Sequence, residues 1–181
     1  MTFKEHFGDQ LVDFEMYQSS KIKVVKFTPK RDFKYFLTDA DSVTNGYWLI
    51  VKESIPVNLA KRLEKIGVDS SQKGRYSDKR IIPSYNDECF LKPVYVIKGF
   101  TCSTDFIENK VIFKTRDGGY CAVNGNWYFY LSRNIPNLKL HAENVAEGLG
   151  VENAIKIFSG GNFVGLIMPV RIANETLYFE K

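Results

Sequence analysis

The sequence predicts an α+β fold of mostly antiparallel β-hairpins, with two or three short helices packed on one face. Three observations carry that prediction. Turn-forming clusters recur between apolar runs, most clearly Ser159-Gly160-Gly161-Asn162, where glycine supplies the positive φ angles that a tight hairpin needs. Helical spacing of apolar residues occurs, but only over short stretches. Aromatic residues make up 14% of the chain, with ten Tyr and fourteen Phe, and such residues suit pleated, half-buried surfaces. A chain of 181 residues fits one globular domain, or two sub-lobes at about 1–100 and 101–181 joined by a continuous sheet.

At the N-terminus, Phe3, Phe7, Leu11 and Phe14 fall on one face of a helix, with Gly8 as a weak point. A Lys-rich strand over Ile22, Val24, Val25 and Phe27 follows and ends near Pro29. Tyr35-Phe36-Leu37 and Tyr47 to Val51 read as a first hairpin with an Asn45-Gly46 turn signal. After Pro56 a short helix is expected, with Asn58 as its cap, Leu59, Leu63 and Ile66 as its apolar stripe, and Gly67 as its stop.

Val68 to Arg80 is polar and without periodicity, and reads as a loop. Phe90 to Phe100 reads as a strand placed at an edge by Pro93. Val111-Ile112-Phe113 and Tyr120 to Val123 form a second hairpin, which turns again at Asn124-Gly125-Asn126 into Trp127 to Leu131. A short amphipathic helix is expected from about His141 to Leu149. The closing hairpin spans Ala154 to Ile172, with its second strand ending, or reaching a sheet edge, at Pro169. Leu177, Tyr178 and Phe179 add a last strand.

The formal charge is +4, and it is concentrated. Lys61 to Arg80 holds seven basic and three acidic residues, so the remainder balances to zero, and within that remainder Lys21 to Lys34 has six basic residues against Asp32 alone. Lys61, Arg62 and Lys65 sit on the outward side of the expected helix, and Lys73, Arg75, Lys79 and Arg80 follow in the loop. Basic residues on one helix face are how a protein presents charge to a phosphate backbone, although a solvated surface has the same pattern.

No chemistry-bearing pattern stands out. The chain has no phosphate loop, because Arg116-Asp117-Gly118-Gly119 lacks the Gly-Lys-Ser/Thr that would follow. Cys89, Cys102 and Cys121 have no metal-like spacing and read as buried free thiols in a reducing cytoplasm. His6 and His141 lie far apart, and Asp39 and Asp41 read as turn formers. An enzyme is therefore not expected, and neither a cofactor nor a metal. No apolar stretch approaches the roughly 18–20 residues of a membrane span, and the N-terminus lacks a signal core. The expected location is cytoplasmic, with no membrane partner.

Three segments together resemble the bacterial sliding clamp, the β subunit of the replicative polymerase, and its phage relatives. Thr44-Asn45-Gly46-Tyr47-Trp48-Leu49, followed by Ile55-Pro56 and a short helix, is similar to the clamp's Thr-Asp-Gly-His-Arg-Leu segment. Val123-Asn124-Gly125-Asn126-Trp127-Tyr128, then Ile135-Pro136, is similar to its Val-Asp-Gly segment. Met168-Pro169-Val170-Arg171-Ile172 is similar to its terminal Met-Pro-Met-Arg-Leu. The chain departs from the family in Asn45, Tyr47 and Trp48, in nine residues beyond Ile172, and in being far shorter than a three-domain clamp subunit.

The resemblance implies a non-catalytic protein of a phage or mobile element. Lys61, Arg62 and Lys65 would face duplex DNA, and Met168, Pro169 and Arg171 would border a site for partner peptides. A chain this short supplies only part of a ring, so the resemblance also implies a homo-oligomer. A second reading is a protein–protein inhibitor of a host nuclease, polymerase or other nucleic-acid-processing factor, with aromatic residues as anchors.

Overall fold

The turn signals generate two antiparallel sheets. The structure is a computed structural model that describes residues 2–19, 35–37, 42–68, 89–101, 107–116, 118–142, 154–170 and 172. The first sheet, sheet A, contains β1 (Leu11–Asp13), β5 (Lys92–Thr101), β6 (Ile107–Lys114), β7 (Tyr120–Asn124) and β11 (Pro169–Val170), in that spatial order. Sheet B runs β2 (Phe36–Leu37), β3 (Val43–Thr44), β4 (Trp48–Ile50), β10 (Asn162–Ile167), β9 (Ile155–Ser159) and β8 (Leu138–His141). The described helices are α1 (Phe3–Phe7), α2 (Phe14–Ser19), α3 (Val57–Ile66) and α4 (Gly125–Asn134). The α+β class and its antiparallel hairpins are therefore present, with four helices among the described residues.

The Gly160-Gly161 turn forms between β9 and β10, and the Asn45-Gly46 turn forms between β3 and β4. The expected first hairpin is corrected: Phe36-Leu37 does not pair with Trp48–Ile50, because Val43-Thr44 forms a strand between them and pairs with both. The β6–β7 turn is closed by Thr115 N–H donating to the Gly119 carbonyl at 2.8 Å. Gly165 lets β10 lie directly against β4, because a Cβ there would collide with the Leu49 carbonyl oxygen. Pro169 ends one strand and opens another: β10 finishes at Ile167, and Pro169, on the outer strand β11 of sheet A, pairs with Val123 of β7.

The sequence expectations and the structure part in further places. The N-terminal apolar stripe is not one helix. Gly8 takes φ +51° and closes α1, Leu11–Asp13 pair with β5, and a second helix starts at Phe14. β5 is interior rather than at an edge. Pro93 is tolerated because β1 pairs only with Tyr95, Val96 and Ile97, and because the β5–β6 register shifts between Pro93 and Tyr95.

The stretch Trp127 to Leu131 is helical instead of a strand. Asn124 caps it, its side-chain oxygen accepting the Trp127 N–H at 3.1 Å, and packing then overrides the strand preference of its aromatics. His141 ends β8 rather than starting a helix. Residues 22–27, 39, 41, 69–88, 143–153, 171 and 173–181 lie outside the described residues, with the expectations made for them.

A strand-then-helix unit occurs twice in sheet A. β1 leads into α2 and β7 into α4, and the last residue of each strand, Asp13 or Asn124, caps the helix with its side chain. The two units flank the β5–β6 hairpin, and their helices meet through Phe14, Tyr17 and Phe129. The main core lies on this face, between the sheets, and α4 is its hub. Tyr128 meets Phe113 of sheet A, Trp127 meets Trp48 of sheet B, and Phe129 meets α2. The opposite face of sheet A carries a smaller core of Ile97, Ile112, Ala122 and Ile172, covered by Phe3 of α1.

Candidate functional site

α3 is amphipathic in space as well as in sequence. Leu59 and Leu63 are buried in the main core, while Lys61, Glu64 and Lys65 are exposed. Lys65 stands in the last turn, where a cation complements the negative end of the helix dipole. Gly67 follows as the C-cap, donating its N–H to the Leu63 carbonyl at 2.9 Å. Asn58 does not cap the helix. Pro56 occupies that position, and the Asn58 amide instead donates to Asn134 Oδ1 of α4 at 3.4 Å.

Arg62 differs from its two lysine neighbours. It is half-buried and turned inward, and its charge acts on the phenols of both Tyr35 and Tyr130. Burial pushes both phenols above the ordinary tyrosine value, and the Arg62 guanidinium draws each part of the way back. Of the expected nucleic-acid residues, the structure thus puts Lys61 and Lys65 on the open face and Arg62 beneath it. Lys73, Arg75, Lys79 and Arg80 lie outside the described residues.

A second feature sits where the chain passes from sheet B to sheet A. Met168 is 44% exposed and Tyr47 52%, and the Met168 N–H donates to the Tyr47 carbonyl at 2.8 Å. Trp48 and Ile167 pair directly beside them, so two large apolar side chains stand together at the end of the β4–β10 pair. Pro169 is half-buried next to them, and Arg171 lies outside the described residues. Tyr47 was not among the expected partner residues. Its neighbour in space is set by strand register, which the sequence alone does not display.

The remaining chemistry is sparse. Cys89 and Cys121 are buried and in no disulfide, and Cys102 lies outside the described residues. Among the described residues no group of three or more His, Cys, Asp or Glu side chains could hold a metal ion. No described helix is long and apolar enough to cross a membrane.

Compared with models of known protein families, with curated proteins and with solved structures, the chain matches none. The site must therefore be read from its own geometry. That geometry offers two surfaces: a lysine-bearing helix face, and an apolar corner at Tyr47 and Met168.

Proposed function

We propose that the chain is a non-catalytic, DNA-associated, sliding-clamp-like protein of a phage or mobile element, meeting duplex DNA through the outward face of α3. The observation that carries this reading is the division of α3, with Leu59 and Leu63 buried while Lys61 and Lys65 are exposed. Lysines held on a rigid helix contact phosphates without ordering a loop, and each contact releases counterions. The net charge of +4 favours the same partner. The test is the mass of the protein in solution, by light scattering, with and without a duplex. The proposal expects assembly beyond a monomer and added mass from the DNA. An unchanged monomer in both samples refutes it.

A second reading, an inhibitor that binds a host nuclease or polymerase, is favoured by the Tyr47–Met168 corner. Tyr is a frequent interface anchor, and a paired apolar exposure is the type of surface a protein partner covers. On this reading, Tyr47→Ser/Met168→Ser abolishes capture of one host protein from a nuclease-treated extract, and Lys61→Ala/Lys65→Ala leaves capture intact. The reverse pattern rejects it.

A further inference from the structure

Among the described residues, Tyr35 Oη and Trp48 Nε1 are buried donors of the main core with no hydrogen-bond partner. Each residue is 2% exposed, and their rings lie 6.0 Å apart at a 52° tilt. Native interiors nearly always supply an acceptor to such groups, because a buried donor left unmade is costly. Here the two donors share one aromatic cluster. Trp127 meets Trp48 edge-on at 5.8 Å and Tyr130 edge-on at 6.1 Å. Arg62 reaches in from α3, half-buried, and its charge is felt at both Tyr35 and Tyr130. A half-buried positive charge and two uncommitted donors therefore belong to one aromatic cluster of the core.

We propose that this cluster binds a small oxyanion, with Arg62 supplying charge and Tyr35 Oη and Trp48 Nε1 donating hydrogen bonds. An anion is favoured over a cation because Arg62 would repel the latter. It is favoured over an apolar ligand because that would leave both donors unmade. Hydrogen bonds from neutral donors to an ionised oxygen are also the stronger kind. The oxyanion is a phosphate or a carboxylate, free or carried by a larger ligand. The inference stands apart from the DNA reading, because it requires neither Lys61 nor Lys65.

Trp48 and Trp127 are the protein's two tryptophans, so intrinsic fluorescence reports on the site directly. The full chain is titrated with inorganic phosphate and, separately, with acetate, at ionic strength held constant with chloride. Tryptophan emission and Tm are followed together. The expected result is a saturable emission change with a rise in Tm. A response to phosphate alone assigns a phosphate-bearing ligand, and a response to acetate alone a carboxylate. Tyr35→Phe and Arg62→Gln weaken the response at least tenfold, whereas Lys92→Ala, on sheet A, leaves it unchanged.

Tyr35→Phe carries a second signature. Removing an unsatisfied hydroxyl leaves the Tm of the anion-free protein unchanged or higher. Three results overturn the proposal: no saturable response to either ion, a response undiminished in Tyr35→Phe, or a lower anion-free Tm in that variant. The last would mean that the hydroxyl already has its acceptor.

Discussion

α3 and α4 are both ten residues long and touch through Asn58 and Asn134, yet they do opposite work. α3 buries one stripe and leaves Lys61 and Lys65 in water. α4 is enclosed by β6, β4 and α2, with Trp127, Phe129 and Leu131 all buried. One helix leaves a charged face in solvent and the other joins the two sheets. The difference lies in what surrounds each helix, since a helix buried on most sides shows no clean apolar stripe.

The comparison is broken most sharply at the hub. Trp127→Ala removes the ring that joins α4 to sheet B at Trp48 and is expected to cost about 3–5 kcal/mol, read from the urea midpoint. That is a large share of a typical domain stability. Leu63→Ala, on the buried stripe of α3, is expected to cost about 2–3 kcal/mol, because α3 meets the core from one side only. Equal losses at the two positions would remove the distinction between hub and face.

Alkaline pH separates the helices next. Burial pushes the Tyr128 phenol up to about 12, while the unfolded chain titrates near the ordinary value of 10.0. Tyr17, Tyr35 and Tyr130 are raised in the same direction, chiefly by burial. Stability from these groups is therefore fully present below pH 10, and is lost as pH rises from the unfolded value through the folded one. Chemical denaturation at pH 9 and pH 11.5 tests this. Tyr128→Phe should lose less stability between the two than the wild type, and an identical loss would contradict the burial assigned to α4.

The two asparagines give the smallest stability contrast. Asn124→Ala deletes the cap of α4 and is expected to cost about 1 kcal/mol. Asn58→Ala, on α3, deletes only an exposed contact at 3.4 Å and should stay within about 0.5 kcal/mol. Thermal melts of the pair resolve the difference.

The same contrast explains what was legible in the sequence. α3 announces itself through Leu59, Leu63 and Gly67, because one face meets the core and the other meets water. α4 does not. Its buried residues at 127, 129 and 131 alternate as in a strand, its aromatics favour strands, and only the Asn124 cap hints at a helix. The first helix failed for a local reason, the positive φ of Gly8, followed by pairing of Leu11–Asp13 with β5. The Gly160-Gly161 turn and the break before Pro169 were legible, because both act locally on the backbone, but the passage of Pro169-Val170 into sheet A was not.

The candidate site divides in the same way. Lys61 and Lys65 could be placed outward from spacing alone. The inward turn of Arg62 toward Tyr35 and Tyr130 could not, nor could the meeting of Tyr47 with Met168. Both depend on elements far apart in the chain coming into register.

On the proposed reading the exposed face of α3 meets DNA, and a salt titration tests that most directly. Binding of a fluorescent duplex is measured by anisotropy over a range of salt concentrations, for the wild type and for Lys61→Ala/Lys65→Ala. Both proteins should unfold within about 0.5 kcal/mol of each other, since surface substitutions change stability little. The account predicts steep weakening of wild-type binding with salt, and a slope of log K against log salt shallower by about 2 in the double variant. A flat salt response in the wild type, or the same slope in both proteins, would contradict it.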